Sequence, residues 1–230
     1  MEFRKQRTRF VLEPVGGRGE GKKKKSRHGP LLPDSIRAII CGPSNCGKTN
    51  LMVNLLFHRN GLRYQNCYIY SKSLHQPKYR HVKKVLRRVP EVTLKMFGAK
   101  DQVLPPEKTK PNSVIIFDDL ACENQDVIRA YFSMGRHHGV DSFYLCQSYA
   151  RIPKHLIRDN ANLIFLFKSD DLNVKHVYED HVRADMTLPQ FHELCRAVWD
   201  ADKYGYLVID NDSPLEDGRY RRGLDEYLQT

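Results

Sequence analysis

Apolar runs of strand length alternate with longer amphipathic stretches from about residue 35 to residue 210. The short, nearly continuous apolar runs predict buried strands at 35–41, 67–72, 114–120, 142–148, 162–167 and 204–210. The stretches between them predict helices at 48–58, 75–89, 124–138, 152–160, 171–182 and 188–201. Buried strands that alternate with helices indicate an α/β fold with a mainly parallel sheet, covered by helices on both faces.

Basic residues are concentrated at the N-terminus. Residues 1–30 contain ten Lys or Arg and three Glu, which is +7 of the net charge of +11. Glycine and charge without apolar periodicity predict a disordered tail. This tail could aid solubility, carry a nuclear-import signal around Lys22–Arg27, or bind phosphates, and the sequence leaves these roles open. The predicted organisation is therefore the basic tail, one folded domain at 31–212, and a polar C-terminal segment at 213–230.

The cysteines and the apolar runs narrow the class of protein. The six cysteines form no C-x-x-C pair and mostly lie in strand-like runs, so we expect reduced, buried thiols and no zinc site. No apolar run approaches the roughly 18–20 residues that a membrane helix needs, and the N-terminus is basic and unlike a signal peptide. We therefore expect an intracellular protein that is neither secreted nor in a membrane.

The stretch between the first predicted strand and the first predicted helix is GPSNCGKT, which matches G-x-x-x-x-G-K-[ST]. In such a P-loop, the glycines let backbone N–H groups surround phosphates, the lysine reaches the outer phosphates and the hydroxyl ligates Mg²⁺. Lys48 and Thr49 fill the last two roles here. The residues predicted to contact the nucleotide are Gly42, Pro43, Ser44, Asn45, Cys46, Gly47, Lys48, Thr49 and Asn50.

A second motif, VIIFDDL, ends an apolar strand with Asp118 and Asp119. Successive residues of a strand point in different directions. One carboxylate can therefore serve the metal while the next polarises the attacking water. We predict Asp118 as the metal ligand and Asp119 as the catalytic residue that polarises the attacking water. A third polar position, Gln147, ends the run SFYLCQS, where it could contact the γ-phosphate or simply cap the strand.

Together these motifs resemble the FtsK–HerA superfamily of DNA-pumping ATPases. The segments GPSNCGKT, VIIFDDL and GRHHGVDSFYLCQSYARIPKHLIRDNANLIFLF occur in that order, and the last is the most specific. Within the superfamily they most resemble the genome-packaging ATPases of poxvirus-type DNA viruses and of Maverick/Polinton elements and virophages. The resemblance covers residues 35–212. It implies a three-layer RecA-like P-loop ATPase whose mainly parallel sheet is of the additional-strand type.

The resemblance also implies the activity and its residues. Lys48 and Thr49 match the residues that bind ATP and Mg²⁺, and Gln147 matches the strand-end glutamine that senses the γ-phosphate. The acids Asp118 and Asp119 match the viral branch, since cellular relatives usually have Asp-Glu. The superfamily uses an arginine finger, for which Arg136 is the first candidate and Arg158 the second, although both could be ordinary surface or ion-paired arginines.

The implied function is a motor that hydrolyses ATP to translocate double-stranded DNA into a preformed capsid. Its expected partners are duplex DNA, other copies of the chain in a ring of five or six, and capsid proteins. Its expected location is the virion and the host nucleus or virus assembly site. DNA could contact the basic helix from Lys78 to Arg88 or the loop with Arg151 and Lys154, although a run of charge is more often a solvated face.

Three alternatives stay open at this point. A cellular or plasmid-borne translocase of the same superfamily is the nearest. A small nucleotide kinase also begins with a strand, a P-loop and a helix, but the tandem acids and the strand-end glutamine argue against it. A non-catalytic protein that binds DNA or capsid is the third, and the intact Lys48, Thr49, Asp118 and Asp119 argue against it.

Overall fold

The computed structural model describes residues 26–98, 101–120 and 125–229. The predictions made for residues 1–25 of the tail, and for Cys122, lie outside these residues. The described cysteines are all free thiols, as the sequence predicted. Within these ranges, no helix has the length and apolar character needed to cross a membrane.

Nine strands of the described chain form one sheet, in the spatial order β3-β2-β4-β5-β1-β6-β7-β8-β9. Their bounds are β1 Arg37–Cys41, β2 Asn66–Ser71, β3 Thr93–Phe97, β4 Ser113–Asp118, β5 Val140–Cys146, β6 Leu163–Phe167, β7 Tyr206–Asp210, β8 Tyr220–Arg222 and β9 Glu226–Tyr227. The six strands from β3 to β6 in this order are parallel, and β7 to β9 pair antiparallel. Strand β5 lies between β4 and β1, which confirms the predicted sheet of the additional-strand type.

Helices cover both faces of the sheet. Their bounds are α1 Lys48–Phe57, α2 Pro77–Leu86, α3 Asp126–Met134, α4 Asp171–Val177 and α5 Leu188–Trp199. Helices α1 and α2 pack in one apolar core, while α3, α4 and α5 pack in the other. Side chains of β1 alternate between the two cores, with Ile39 in one and Ile40 in the other, as a strand buried on both faces requires. The three-layer α/β prediction is confirmed.

The register of the parallel strands brings the predicted motifs to one edge of the sheet. Cys41, the last residue of β1, pairs with Cys146, the last of β5. Asp118, the last of β4, pairs with Leu145. The P-loop, the tandem acids and Gln147 therefore all leave the sheet at neighbouring carboxyl ends, the usual place for a ligand in such folds.

Within the predicted domain, one strand and one helix differ from the sequence predictions. The edge strand β3 was not predicted; it pairs only with β2 and is partly exposed, so its run TLKMF lacks the continuous apolar character of the inner strands. The predicted helix at 152–160 does not form: short 3₁₀ turns occupy Tyr149–Arg151 and Arg158–Asn160. Leu156, in the middle of this segment, has a φ of 71°, which an α-helix cannot contain.

Both ends of the folded part extend past the predicted boundaries. Near the N-terminus, His28 is buried, and its Nε2 lies 3.0 Å from Oδ2 of the buried Asp141. The Arg27 guanidinium lies 3.1 Å from the same oxygen. The segment expected to be tail thus packs on the amino end of β5 from about Arg27 onward. At the other end, the polar segment after residue 212 adds β8 and β9 to the sheet.

Candidate active site

The loop between β1 and α1 depends on two glycines. Gly47 has a φ of 117°, a left-handed conformation that only glycine adopts readily. At Gly42, a Cβ would lie 2.6 Å from Cβ of Phe167, which is closer than such atoms approach. The loop can therefore turn tightly over the sheet and lead directly into α1, whose free N–H groups favour an anion at this end.

A cleft opens beside this loop at the carboxyl ends of β1, β4 and β5. Residues of all three predicted motifs line it: Ser44, Asn45, Gly47, Lys48, Thr49, Asp118, Asp119 and Gln147. Asn50 lines an adjoining cleft over α1. The remaining predicted P-loop residues shape the path of the loop, with Gly42 buried, Cys46 half-buried and Pro43 exposed.

Lys48 is held inside the loop by backbone oxygens. Its Nζ donates hydrogen bonds to the carbonyls of Gly42 at 2.6 Å and Pro43 at 2.8 Å. The ammonium group therefore lies within the curl of the P-loop, at the wall of the cleft that the carboxylates also line. This is the position from which a lysine reaches the outer phosphates of a nucleotide.

Asp118 is a buried carboxylate with two hydroxyl donors. Tyr79 Oη donates to its Oδ2 at 2.5 Å, and Ser71 Oγ donates to the same oxygen at 3.4 Å. Burial raises the pKa of Asp118, and the neighbouring Asp119 adds to that, while the Tyr79 hydrogen bond and the Lys48 charge oppose it. Tyr79 keeps its proton because burial raises the pKa of its hydroxyl well above the ordinary value.

Asp119 adopts a backbone conformation that is uncommon for its type. Its φ is 58°, in the left-handed region that non-glycine residues rarely occupy. Its N–H donates to the carbonyl of Leu145 at 3.2 Å, which fixes the turn against β5. The side chain is exposed in the cleft, in contrast to the buried Asp118. The two carboxylates therefore occupy different environments, and their division into metal ligand and water-polarising residue stays a prediction.

Gln147 follows the last residue of β5 and is exposed on the same cleft. The turn after it is tied to helix α4, because Oδ1 of Asn173 accepts hydrogen bonds from Ser148 Oγ and from the N–H of Ala150, both at 3.1 Å. Asn173 is itself held by Asp170, whose Oδ1 accepts from its N–H at 2.8 Å. A displacement of Gln147 would therefore act on α4 through this turn.

Sequence reasoning missed the contribution of the segment around the start of α2. Ser73, Gln76 and Lys78 line the cleft opposite the P-loop. The sequence analysis named Lys78 only as part of a basic helix considered for DNA contact, whereas the structure places it at the nucleotide cleft. Tyr79, the next residue, holds Asp118. The sequence offered no signal for this role, since a tyrosine on a basic helix is more often a core residue.

The donor set of the cleft fits Mg²⁺. The Thr49 hydroxyl and the Asp118 carboxylate are hard oxygen donors on the same cleft. No cluster of three or more His, Cys, Asp or Glu side chains that could hold a metal occurs in the described parts of the chain. Mg²⁺ suits such a sparse site, because it is usually bound through one or two protein oxygens together with waters and substrate phosphates.

The two arginine-finger candidates differ in burial and in their position on the sheet. Arg158 is 7% exposed, lies 3.3 Å from Oδ2 of Asp180 and stacks on Tyr149 with 5.2 Å between its Cζ and the ring centroid. A residue held in this way is a structural ion pair, so the structure does not support Arg158 as a finger. Arg136 is exposed in the turn before β5, at the amino end of the sheet and thus opposite the P-loop. It does not reach the cleft of its own chain.

Two surfaces predicted for DNA are solvent-exposed. Helix α2 and the residues after it carry the exposed cations Lys78, Arg80, Lys83, Lys84, Arg87 and Arg88. In the loop after Gln147, Arg151 is exposed, and Lys154 lies 3.6 Å from Asp180. Their contact with DNA stays a prediction.

Comparison with models of protein families identifies the family to which this chain belongs. The model of the Poxvirus A32 protein family matches residues 22–225. The chain belongs to the Poxvirus A32 protein family. Membership confirms the poxvirus-type genome-packaging ATPase resemblance, and it removes the support for a nucleotide kinase or a cellular translocase. No curated protein matches the chain.

Solved structures similar to this A32-family chain include packaging proteins of Sulfolobus turreted icosahedral viruses. The genome packaging NTPase B204 of Sulfolobus turreted icosahedral virus 2, in complex with sulfate, has a TM-score of 0.57 and 12% identity, over 86% of this chain and 100% of that one. The same protein in complex with AMPPCP gives a TM-score of 0.56 and 12% identity over the same shares. B204 of Sulfolobus turreted icosahedral virus, described as a DNA-packaging ATPase, gives 0.55 and 15% identity over 86% and 98%. At these identities the likeness shows a shared fold.

Proposed function

We propose that this chain is the ATP-driven motor that moves duplex DNA into a viral capsid. Membership of a family of poxvirus-type packaging ATPases makes it an ATPase of genome packaging. The observation that carries the proposal is the convergence of Lys48, Asp118, Asp119 and Gln147 on one cleft beside the P-loop. The B204 structures, in complex with AMPPCP and with ATP-γS, support ATP as the nucleotide.

The chain's own residues have distinct tasks in hydrolysis. Lys48 holds the outer phosphates, and the N-terminus of α1 adds its positive dipole. Thr49 and Asp118 would hold Mg²⁺, which when bound offsets the negative charge of the phosphate oxygens. Asp119, exposed in the cleft, orients the attacking water and accepts its proton.

Gln147 links the nucleotide to the rest of the chain. Its amide faces the same cleft, so it can bond the γ-phosphate before hydrolysis and lose that bond afterwards. The turn that follows carries this change to Asn173 on α4 and to the exposed Arg151. Cations on such a loop contact phosphates without reading sequence, as a motor that moves over any genome requires.

The proposal includes three kinds of partner. They are duplex DNA, other copies of the chain in a ring of five or six subunits, and capsid proteins. The folded part is too small to encircle DNA alone, and the exposed Arg136 can reach an ATP site only in a neighbouring copy. We further propose that the protein acts in the virion and at the host nucleus or virus assembly site.

The test measures ATP hydrolysis by the purified full chain with Mg²⁺, with and without long duplex DNA. A motor should hydrolyse ATP faster when DNA is added, and Lys48→Ala should abolish hydrolysis under both conditions. Single-stranded DNA of the same length is the control for simple charge neutralisation. Hydrolysis that is absent in all conditions, or that does not respond to duplex DNA, contradicts the proposal.

A further inference from the structure

A second cleft adjoins the P-loop on the side away from the tandem acids. Asn45, Gly47 and Lys78 line both clefts, so the two are continuous around the loop. The first contains the carboxylates at the ends of β4 and the glutamine after β5. The second runs over α1 towards β6 and β7, on the other side of β1 in the sheet order.

We infer that this second cleft is the site for the base of the nucleotide, a purine stacked on the ring of Tyr204. The inference rests on the proposed function, because it assigns the rest of the same ATP molecule. Lys48, Asp118 and Asp119 fix where the outer phosphates lie. The ribose and base must then leave the loop at the other end of the phosphate chain, where the second cleft opens.

Aromatic side chains form the wall of this cleft. A methyl group placed on Gly47 would lie 3.3 Å from Cε1 of Phe167 and 3.7 Å from Cδ1 of Tyr204, so both rings lie against the P-loop itself. The ring of Tyr206 packs on Phe167 with 5.2 Å between centroids. Tyr204 is 53% exposed, although large apolar side chains are otherwise mostly buried in this chain. An exposed aromatic ring beside the P-loop offers a face on which a nucleobase can stack.

The backbone holds Tyr204 in place without help from a ligand. Its N–H donates to Oδ1 of Asp202 at 2.7 Å, and the N–H of Gly205 donates to the carbonyl of Asp202 at 2.9 Å. At Gly205 a Cβ would lie 2.6 Å from the carbonyl oxygen of Val198, so this turn is packed tightly on the end of α5. A side chain on a fixed backbone loses less freedom when a base stacks on it than one on a loose loop does.

Polar groups of α1 complete the opposite wall. Asn50 and Asn54 are exposed on the cleft one helical turn apart, and Asn54 Nδ2 donates to the carbonyl of Asn50 at 2.8 Å. Their remaining amide atoms can bond ribose hydroxyls or the edge of the base. The exposed ammonium of Lys203 lies over one face of the Tyr204 ring, 5.4 Å from its centroid, so a base stacks on the opposite face or takes the place of this flexible cation.

The experiment compares two probes by calorimetry on the full chain with Mg²⁺. ATP carries a base, and inorganic tripolyphosphate does not. Stacking on an aromatic ring corresponds to about 5- to 100-fold in affinity. Tyr204→Ala should therefore weaken ATP binding by that factor and leave tripolyphosphate binding within about threefold. Tyr204→Phe keeps the ring and should bind both probes as the unchanged chain does.

The possible outcomes distinguish failure of the base site from failure of the proposed ATPase function. If Tyr204→Ala binds ATP as tightly as the unchanged chain, or loses both probes to the same extent, the base site is overturned while the ATPase proposal stands. If the unchanged chain binds ATP no more tightly than tripolyphosphate, the base site is overturned in the same way. If the unchanged chain binds neither probe, the proposed function fails and the inference fails with it.

Discussion

The Tyr79 hydroxyl donates a 2.5 Å hydrogen bond to Oδ2 of Asp118 and so joins helix α2 to the acidic end of β4. The buried carboxylate depends on this donor, because burial raises the pKa of Asp118 and the hydrogen bond from Tyr79 opposes the rise. A carboxylate that must bind a metal has to be ionised. Helix α2 is therefore part of the active site, although its sequence is dominated by exposed basic residues.

Tyr79→Phe should move the acidic limb of the ATPase pH profile to higher pH. Loss of the hydrogen bond leaves the ionised form of Asp118 less stable, so its pKa rises further. A hydrogen bond to a charged group contributes about 1.5–3 kcal/mol, which corresponds to a shift of about one pH unit or more. The measurement is kcat between pH 5 and 8. Tyr70→Phe is the control, since the Tyr70 hydroxyl instead accepts from the N–H of Leu104. A profile that is unchanged in Tyr79→Phe contradicts this role.

Lys48→Ala and Asp119→Asn should fail at different steps. Lys48 lies in the curl of the P-loop and holds the phosphates, so its loss should remove ATP binding and turnover together. Asp119 is exposed in the cleft and has no part in holding the loop, so Asp119→Asn should bind ATP within about threefold of normal and lose at least about 100-fold in kcat. Calorimetry and single-turnover kinetics measure the two steps. Equal loss of ATP affinity in both variants would refute this division.

The sequence predicts the sheet and the motifs well because both depend on local patterns. Continuous apolar runs mark the buried parallel strands, and the P-loop glycines are required by backbone geometry at Gly42 and Gly47. The hydrogen bond between Tyr79 and Asp118 joins residues 39 positions apart, and no local pattern encodes such a pair. The same holds for the ion pair of Arg158 with Asp180, because the sequence leaves Arg158 open as a finger, a surface arginine or an ion-paired one.

Arg158→Ala should lower the free energy of unfolding, and any loss of ATP turnover should follow from unfolding of the chain. The variant removes the guanidinium from the buried side chain of Asp180, which keeps the Tyr149 hydroxyl at 3.1 Å and the Lys154 ammonium at 3.6 Å. The free energy of unfolding should therefore fall by about 1–3 kcal/mol, less than for a buried charge left with no partner. Chemical denaturation measures the free energy of unfolding. Arg151→Ala removes an exposed arginine from the same region and should change that free energy by less than about 0.5 kcal/mol. Normal stability with abolished turnover in Arg158→Ala would restore it as a finger candidate.

His181 should make the fold sensitive to acid. Its Nε2 lies 2.7 Å from the Tyr149 hydroxyl and its Nδ1 lies 3.0 Å from Nδ2 of Asn211, an arrangement that suits the neutral ring. Burial lowers the pKa of His181 from 6.5 to about 4, while the nearby Asp180 carboxylate partly opposes this shift.

The direction of the pH effect on stability follows from the lower pKa of His181 in the folded chain. Well above pH 6.5 the ring is neutral in both the folded and the unfolded state, and the full stability is present. As the pH falls from 6.5 towards 4, the unfolded chain takes up the proton first, so the free energy of unfolding falls by at most about 3 kcal/mol. Denaturation at pH 7, 5.5 and 4 should show this loss, and His181→Gln should reduce it. His155→Gln, at a fully solvated side chain, is the control. A pH dependence that is the same in His181→Gln and in the unchanged chain contradicts the role of His181.

Arg136 should complete the ATP site of a neighbouring subunit. It is exposed at the amino end of β5, opposite the P-loop of its own chain, so it can act only across a subunit interface. An arginine that stabilises the transition state of phosphoryl transfer contributes about 10³–10⁵ in rate. Arg136→Ala should therefore bind ATP normally and lose most turnover.

When the Arg136→Ala protein is mixed with the Lys48→Ala protein, some activity should return, because a mixed interface pairs an intact P-loop with an intact arginine. His137→Ala, beside it in the same turn, is the matched control and should need no rescue. Full hydrolysis by Arg136→Ala, or by protein shown to be monomeric, would exclude a site shared through this residue.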